Sequence, residues 1–154
     1  MKITALFFGV FAGCLSCIPA HAADYLWNGG NGSWTDSGAW RLDDSSADWS
    51  NGNTAQFQTD SSITVGSGIS ASGMLYNGAA ITLNGGSLTL TGAAAGNNGG
   101  SATLSNTGLI LDAPNAEDSY EVRDTSLTGS ATLAKTGAGT VTLDGAHTAS
   151  GAVS

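Results

Sequence analysis

The chain has 154 residues, a formal net charge of −8 from twelve acidic and four basic side chains, and 23 glycines. So few cations exclude a nucleic-acid binder, whose phosphate partner demands a basic footprint, and disfavour adsorption to anionic lipid. Gly, Ala, Ser, Thr and Asn dominate around regularly placed Leu, Ile and Val, and that regularity argues against a disordered linker.

The first 22 residues read as an export signal. Lys2 gives a basic start, residues 3–18 are apolar or small, and Ala20-His21-Ala22 supplies the small-x-small pattern of a signal-peptidase site. The apolar run is short for a membrane span, so the chain after Ala22 is expected to hold no transmembrane segment. A rival reading takes residues 11–14 as a lipoprotein box with Cys14 acylated. Cys14 and Cys17 both lie in this segment, so the chain beyond it has no cysteine and must be held together without disulfides. Loss of Lys2 leaves Arg41, Arg123 and Lys135 against twelve carboxylates, a net charge of −9.

Residues 23–60 hold all four tryptophans, Trp27, Trp34, Trp40 and Trp49, and Phe57 lies near their end. Such rings suit an N-terminal cap that covers the open end of a β stack, burying much apolar area per residue. The alternative is a carbohydrate-binding platform, on which the indoles stack against sugar rings. The uneven gaps between the four tryptophans do not keep one strand face, which favours the cap. Asp43, Asp44 and Asp48 offer oxygen ligands of the kind calcium takes, yet no calcium-loop spacing accompanies them, and they read as a solvated acidic loop.

From residue 61 to 154 short apolar/Thr runs recur between Gly, Asn and Ser: ITV at 63–65, ITL at 81–83, LTL at 88–90, ATL at 102–104, LIL at 109–111, ATL at 131–133 and VTL at 141–143. All but LIL alternate apolar and polar positions, the period of a half-buried strand, and each ends within a few residues at a turn former. Residues 79–92 align with the run from Ser101, placing Leu83 on Leu104. SATLSNTGLILD at 101–112 aligns in turn with SATLAKTGAGTVTLD at 130–144, placing Ser101 on Ser130. The second offset is the longer, which points to an insertion, placed at the charge-dense 113–124. With no apolar period of helical type, the predicted fold is all-β: a right-handed parallel β-helix (a solenoid) of a few coils behind the tryptophan cap. Pro114 falls in the insertion, clear of every predicted strand.

The stretch LAKTGAGTVTLDGAHTASG at 133–151 resembles the autotransporter-associated β-strand repeat, usually Leu-x-Lys-x-Gly-x-Gly-Thr-Leu-x-Leu-x-Gly-x-Asn-Thr-Tyr-x-Gly. Leu133, Lys135, Gly137, Gly139, Thr140, Val141, Leu143, Gly145, Thr148 and Gly151 match it, while His147 replaces Asn and Ala149 replaces Tyr. The tryptophan-rich opening is similar to the start of such passengers. The resemblance implies a Gram-negative envelope protein, displayed at the cell surface or secreted, whose passenger is exported through a C-terminal outer-membrane barrel. No barrel pattern is present in the sequence, so the expectation is the N-terminal part of a passenger, periplasmic if truncated.

Catalysis finds little support. After Ala22 the chain has one histidine, His147, which falls in the repeat's Asn position, and no nucleophile motif accompanies it. Asp112 and Asp144 end strands that align, which explains them as turn positions. The glycine runs at 28–32 and 96–100 precede no helix signal and read as turns, not phosphate loops. No catalytic, cofactor-binding or metal-ligating residue is assigned. The expected function is an exported structural or interaction module for an unidentified surface ligand, with a carbohydrate-binding module as the alternative.

Overall fold

The computed structural model describes residues 21–154; the signal segment and Cys14 fall outside the described residues, except His21 and Ala22. The described chain contains no helix and consists of sixteen strands. It opens with β1 (Asp24–Trp27), β2 (Gly32–Ser33), β3 (Trp40–Leu42), β4 (Ser45–Ala47) and β5 (Asn53–Phe57). Next come β6 (Ser61–Thr64), the long β7 (Ile69–Asn77), β8 (Ala80–Asn84), β9 (Ser87–Leu90) and β10 (Ala94–Asn97). The last six are β11 (Ser101–Ser105), β12 (Gly108–Asp112), β13 (Ser119–Val122), β14 (Thr125–Thr128), β15 (Thr132–Thr136) and β16 (Thr140–Leu143).

These strands wind into a parallel β-solenoid with three ladders. One runs β2-β6-β8-β11-β14. The second stacks the start of β7, then β9, β12 and β15. The third stacks β1, β5, the end of β7, β10, β13 and β16. β7 is long because it turns the corner between two ladders without a break, and its pairing with β5 skips a residue there. From Ala55 through Met74, Ala94 and Val122 to Leu143, equivalent residues mark four full turns.

The alternation read in the sequence is the inside–outside alternation of the coils. Ile81 and Leu83 are buried with Thr82 between them, and Leu88 and Leu90 with Thr89 between them. Ile63, Leu83, Leu104 and Leu127 form one inward row, unevenly spaced in sequence yet aligned in space. The row Ile69, Leu88, Leu109 and Leu133 faces it from the second ladder. Two corners show why glycine punctuates the runs. Gly86 and Gly137 have φ of 60° and 77°. A Cβ on Gly86 would collide with the Val65 carbonyl, and one on Gly137 with the Ala113 carbonyl.

Three details differ from the sequence reading. The parallel ladders begin at β1 and β5, so part of the tryptophan-rich segment is itself coil. The first alignment holds, with Leu83 over Leu104, but the second does not: Leu104 stacks on Leu127, and Leu133 on Leu109. The two SATL strings sit on different ladders, where the same alternation serves both. Asp112 and Asp144 consequently do not stack: Asp112 pairs with Thr136 on β15, while Asp144 follows β16. The third turn, Ala94 to Val122, is longer than the second, Met74 to Ala94, and a loop at 113–118 takes up the excess. The rest of the expected insertion rejoins the third ladder as β13.

Leu104→Ala should lower the unfolding free energy by about 2–5 kcal/mol, because a buried leucine leaves a cavity between rigid coils. Thr103→Val, pointing outward from the same strand, should change it by no more than about 0.5 kcal/mol. Urea denaturation of the two variants checks the assigned facing.

Candidate functional site

Two places concentrate chemistry-bearing side chains: the aromatic N-terminal end and the loop at 113–118. At the first, β1 forms the end rung of the third ladder, and β3 pairs antiparallel with its outer edge, with β4 beyond. The β3–β4 turn places Asp43 and Asp44 at φ of 48° and 63°, the left-handed pair of a two-residue hairpin turn. Asp44 also pairs with Arg41 at 3.0 Å. Asp48 reaches back across the base of the β3–β4 hairpin, accepting from the Gly38 amide at 2.9 Å and the Ser37 hydroxyl at 3.0 Å. The three carboxylates expected in one loop therefore do not act together: Asp44 and Asp48 make separate local contacts, and Asp43 contributes a turn position. Among the described residues no three His, Cys, Asp or Glu side chains converge on a point.

The excursion from β1 to β5 folds its rings over the end of the coils. Trp34 and Trp40 are 0% exposed, Trp27 is buried, and Trp49 is half-buried. Trp40 packs 4.9 Å from Trp34, 5.1 Å from Trp27, 4.7 Å from Trp49 and 5.7 Å from Phe57 between ring centroids. Its indole N–H donates to the Trp34 carbonyl at 2.8 Å, and that of Trp27 to the Gly30 carbonyl at 3.1 Å. Trp34 Nε1 is buried without a hydrogen-bond partner, inside a shell of rings that includes Trp49 edge-on at 5.2 Å. Trp49 is tied through Asn51, whose Oδ1 accepts from the Trp49 indole and the Ser70 amide, while Nδ2 donates to the Gly68 carbonyl. These rings form one packed cluster rather than an exposed coplanar row.

The cluster grades into the coils through the column Phe57 and Tyr76, whose rings lie 6.4 Å apart. The Thr125 hydroxyl donates to the Arg123 carbonyl, so the Tyr76 hydroxyl donates to Thr125 Oγ1 at 3.2 Å. Burial pushes the Tyr76 hydroxyl far above its ordinary ionisation range. This pair, remote in sequence, was not legible there: a Thr in an alternating strand carries no sign that it faces inward.

The second place is a bracket beneath the third turn. Asp118 accepts from the Asn115 amide at 2.9 Å and donates its own amide back to the Asn115 carbonyl at 3.1 Å. Thr140 and Gly139 bind the loop from the next coil, donating to the Asp118 and Ala113 carbonyls. Tyr120, half-buried, directs its hydroxyl at the Leu90 and Asp112 carbonyls, at 2.9 and 3.1 Å. Glu117 and Glu121 stay exposed, and Glu121 lies 3.5 Å from Arg123. The loop is an anionic projection with a fixed base. His147 and Lys135, the other candidates for proton chemistry, lie apart: His147 bridges to Leu127, and Lys135 Nζ donates to the Gly137 carbonyl. The described residues enclose no pocket.

No family model, curated protein or solved structure matches the chain. No helix among the described residues is long and apolar enough to cross a membrane.

Hydrogen bonds from Gly38 and then Ser37 hold the Asp48 carboxyl below its ordinary value of 3.8. A lowered folded-state pKa adds stability above the unfolded pKa and loses it as pH falls through the folded value. The protection factor of the Gly38 amide should therefore fall below about pH 4 in the native chain. In Asp48→Asn that pH step should vanish, as hydrogen exchange by NMR would show.

Burial, aided by the Asp112 and Asp118 carboxylates, pushes the Tyr120 hydroxyl up to about 12. That contribution to stability is complete below the unfolded tyrosine pKa, near 10, and is lost as pH rises toward the folded value. Tyr120→Phe should cost about 0.5–1.5 kcal/mol at neutral pH through its lost hydrogen bonds. It should also flatten the alkaline fall in stability that denaturant titrations of the native chain would reveal.

Proposed function

We propose that this protein is an exported, non-catalytic structural and interaction module of the autotransporter-passenger type, acting outside the cytoplasm. The observation that carries the reading is the β-solenoid itself, built from short alternating runs and including the repeat-like 133–151. The β2-β6-β8-β11-β14 ladder turns an uncharged outer surface to solvent: Ser62, Thr82, Thr103 and Ser126 form one row, and Thr64, Asn84, Ser105 and Thr128 the next. A surface held by backbone ladders and free of a pocket suits display and contact better than turnover. Its partner would be a component of a cell surface or of the extracellular medium, approached through the projecting 113–118 loop. A carbohydrate-binding function through the tryptophans has no exposed ring row to support it.

Export is the most direct test. In a Gram-negative host, the full chain should leave the cytoplasm with its N-terminus at Ala23, read by N-terminal sequencing of the fractionated protein. Retention in the cytoplasm with Met1 or Lys2 at the N-terminus would refute the reading. Acylation at Cys14, visible as a lipid-sized mass increase, would keep export but replace the cleavage site.

A further inference from the structure

The chain contains six Asn-Gly dipeptides, beginning at Asn28, Asn31, Asn51, Asn77, Asn84 and Asn98. Each is intrinsically prone to an internal reaction, because glycine leaves the following amide nitrogen open to approach by the asparagine side chain. The fold treats them very differently.

Four are held at both reacting groups. Asn31 Oδ1 accepts from the Ser62 amide at 2.9 Å, and Gly32 lies in the β2–β6 ladder. Asn51 makes the three side-chain bonds described above, and the Gly52 amide donates to the Ser70 carbonyl at 3.1 Å. Asn77 Oδ1 accepts from Asn97 Nδ2 at 3.2 Å, while the Gly78 amide donates to the Asn97 carbonyl at 2.8 Å. Asn84 Oδ1 accepts from Asn106 Nδ2 at 3.3 Å, and the Gly85 amide donates to the Ser105 carbonyl at 3.1 Å.

At Asn28-Gly29 and Asn98-Gly99 neither the side-chain amide nor the glycine N–H bonds to any described residue. Exposure does not explain the division, since Asn31, Asn51 and Asn84 are exposed as well. Between the two unheld pairs the backbone decides. Asn98 and Gly99, at φ of 53° and 81°, are the central residues of a turn closed by the Gly100 amide on the Asn97 carbonyl at 3.0 Å. That hydrogen bond restrains the main chain on both sides of the Asn98–Gly99 peptide. No backbone–backbone bond closes a turn around Gly29 and Gly30; the chain is held only on either side, by the Asn28 amide on the Ala39 carbonyl and the Trp27 indole on the Gly30 carbonyl.

We propose that Asn28-Gly29 is a site of spontaneous covalent modification, where the folded protein converts to aspartate and isoaspartate ahead of every other Asn-Gly pair. The Gly29 amide nitrogen, losing its proton, attacks Asn28 Cγ; the bond from Cγ to the side-chain nitrogen breaks, and ammonia leaves with that proton. Water then opens the cyclic imide, at Cγ to give aspartate or at the main-chain carbonyl to give isoaspartate. Either product adds one negative charge to an already acidic chain. The isoaspartyl product also lengthens the main chain beside Trp27, whose indole is anchored just beyond at the Gly30 carbonyl.

The test is incubation of the purified folded protein at mildly alkaline pH, with peptide mapping that locates each mass gain of about 1 Da and separates the two isomers. Asn28 should react at least about tenfold faster than each of the other five, a ratio that loss of one or two hydrogen bonds accounts for. In strong denaturant the six should react at comparable rates, which identifies the fold as the source of the selection. Asn28→Gln, a change to an exposed side chain without partners, should remove the leading acidic species in ion exchange and leave the melting curve unchanged. A folded-state rate at Asn98 or any held pair equal to that at Asn28 would overturn the proposal. So would a uniform pattern across all six that persists without denaturant.

Discussion

In-register parallel stacking is the constraint on which the rest of this protein depends. Each turn must bring an inward side chain over its equivalent one coil earlier, so Ile63, Leu83, Leu104 and Leu127 fall in one row although their spacing in sequence varies. The ladders tolerate added residues only where the chain leaves them, at corners. The loop at 113–118 is therefore where the third turn takes up its extra length, and the coils before and after it keep their register.

A stack of open coils has two ends, and both carry unpaired strand edges unless something intervenes. At the N-terminal end β3 and β4 reverse direction and cover β1, while the tryptophans close over the axis. At the other end the residues after β16 continue the winding, bridging His147 to Leu127 and Val153 to Leu133. One inward row, Ala71, Leu90 and Leu111, is followed in register by Lys135, whose ammonium turns to the Gly137 carbonyl.

The fold class was legible because alternation with period two and the recurrence of short runs between turn formers are properties of the chain alone. Leu83 over Leu104 followed directly from the match between their two runs. The second alignment misled because SATL at 101–104 and at 130–133 obeys the same alternation on different ladders; identity of letters does not report which face a run occupies. The antiparallel return of β3 and β4 was hidden for another reason. Its turn uses Asp43 and Asp44 in the left-handed region, without the glycine that usually signals such a hairpin. The same Asp pair read as a loose acidic loop. The side-chain bonds that separate one Asn-Gly pair from another join residues as remote in sequence as Asn31 and Ser62, where local pattern carries no information.

The aromatic end also sets what can be learned about the molecule by light. All four indoles lie between Trp27 and Trp49, packed at one pole of the stack, while the last turns hold no ring larger than that of Tyr120. Intrinsic tryptophan emission is thus a local gauge of that pole, silent while the far coils fray. A single emission curve coinciding with a backbone signal would mean that all turns melt together. Divergence between them would map the order in which the solenoid comes apart.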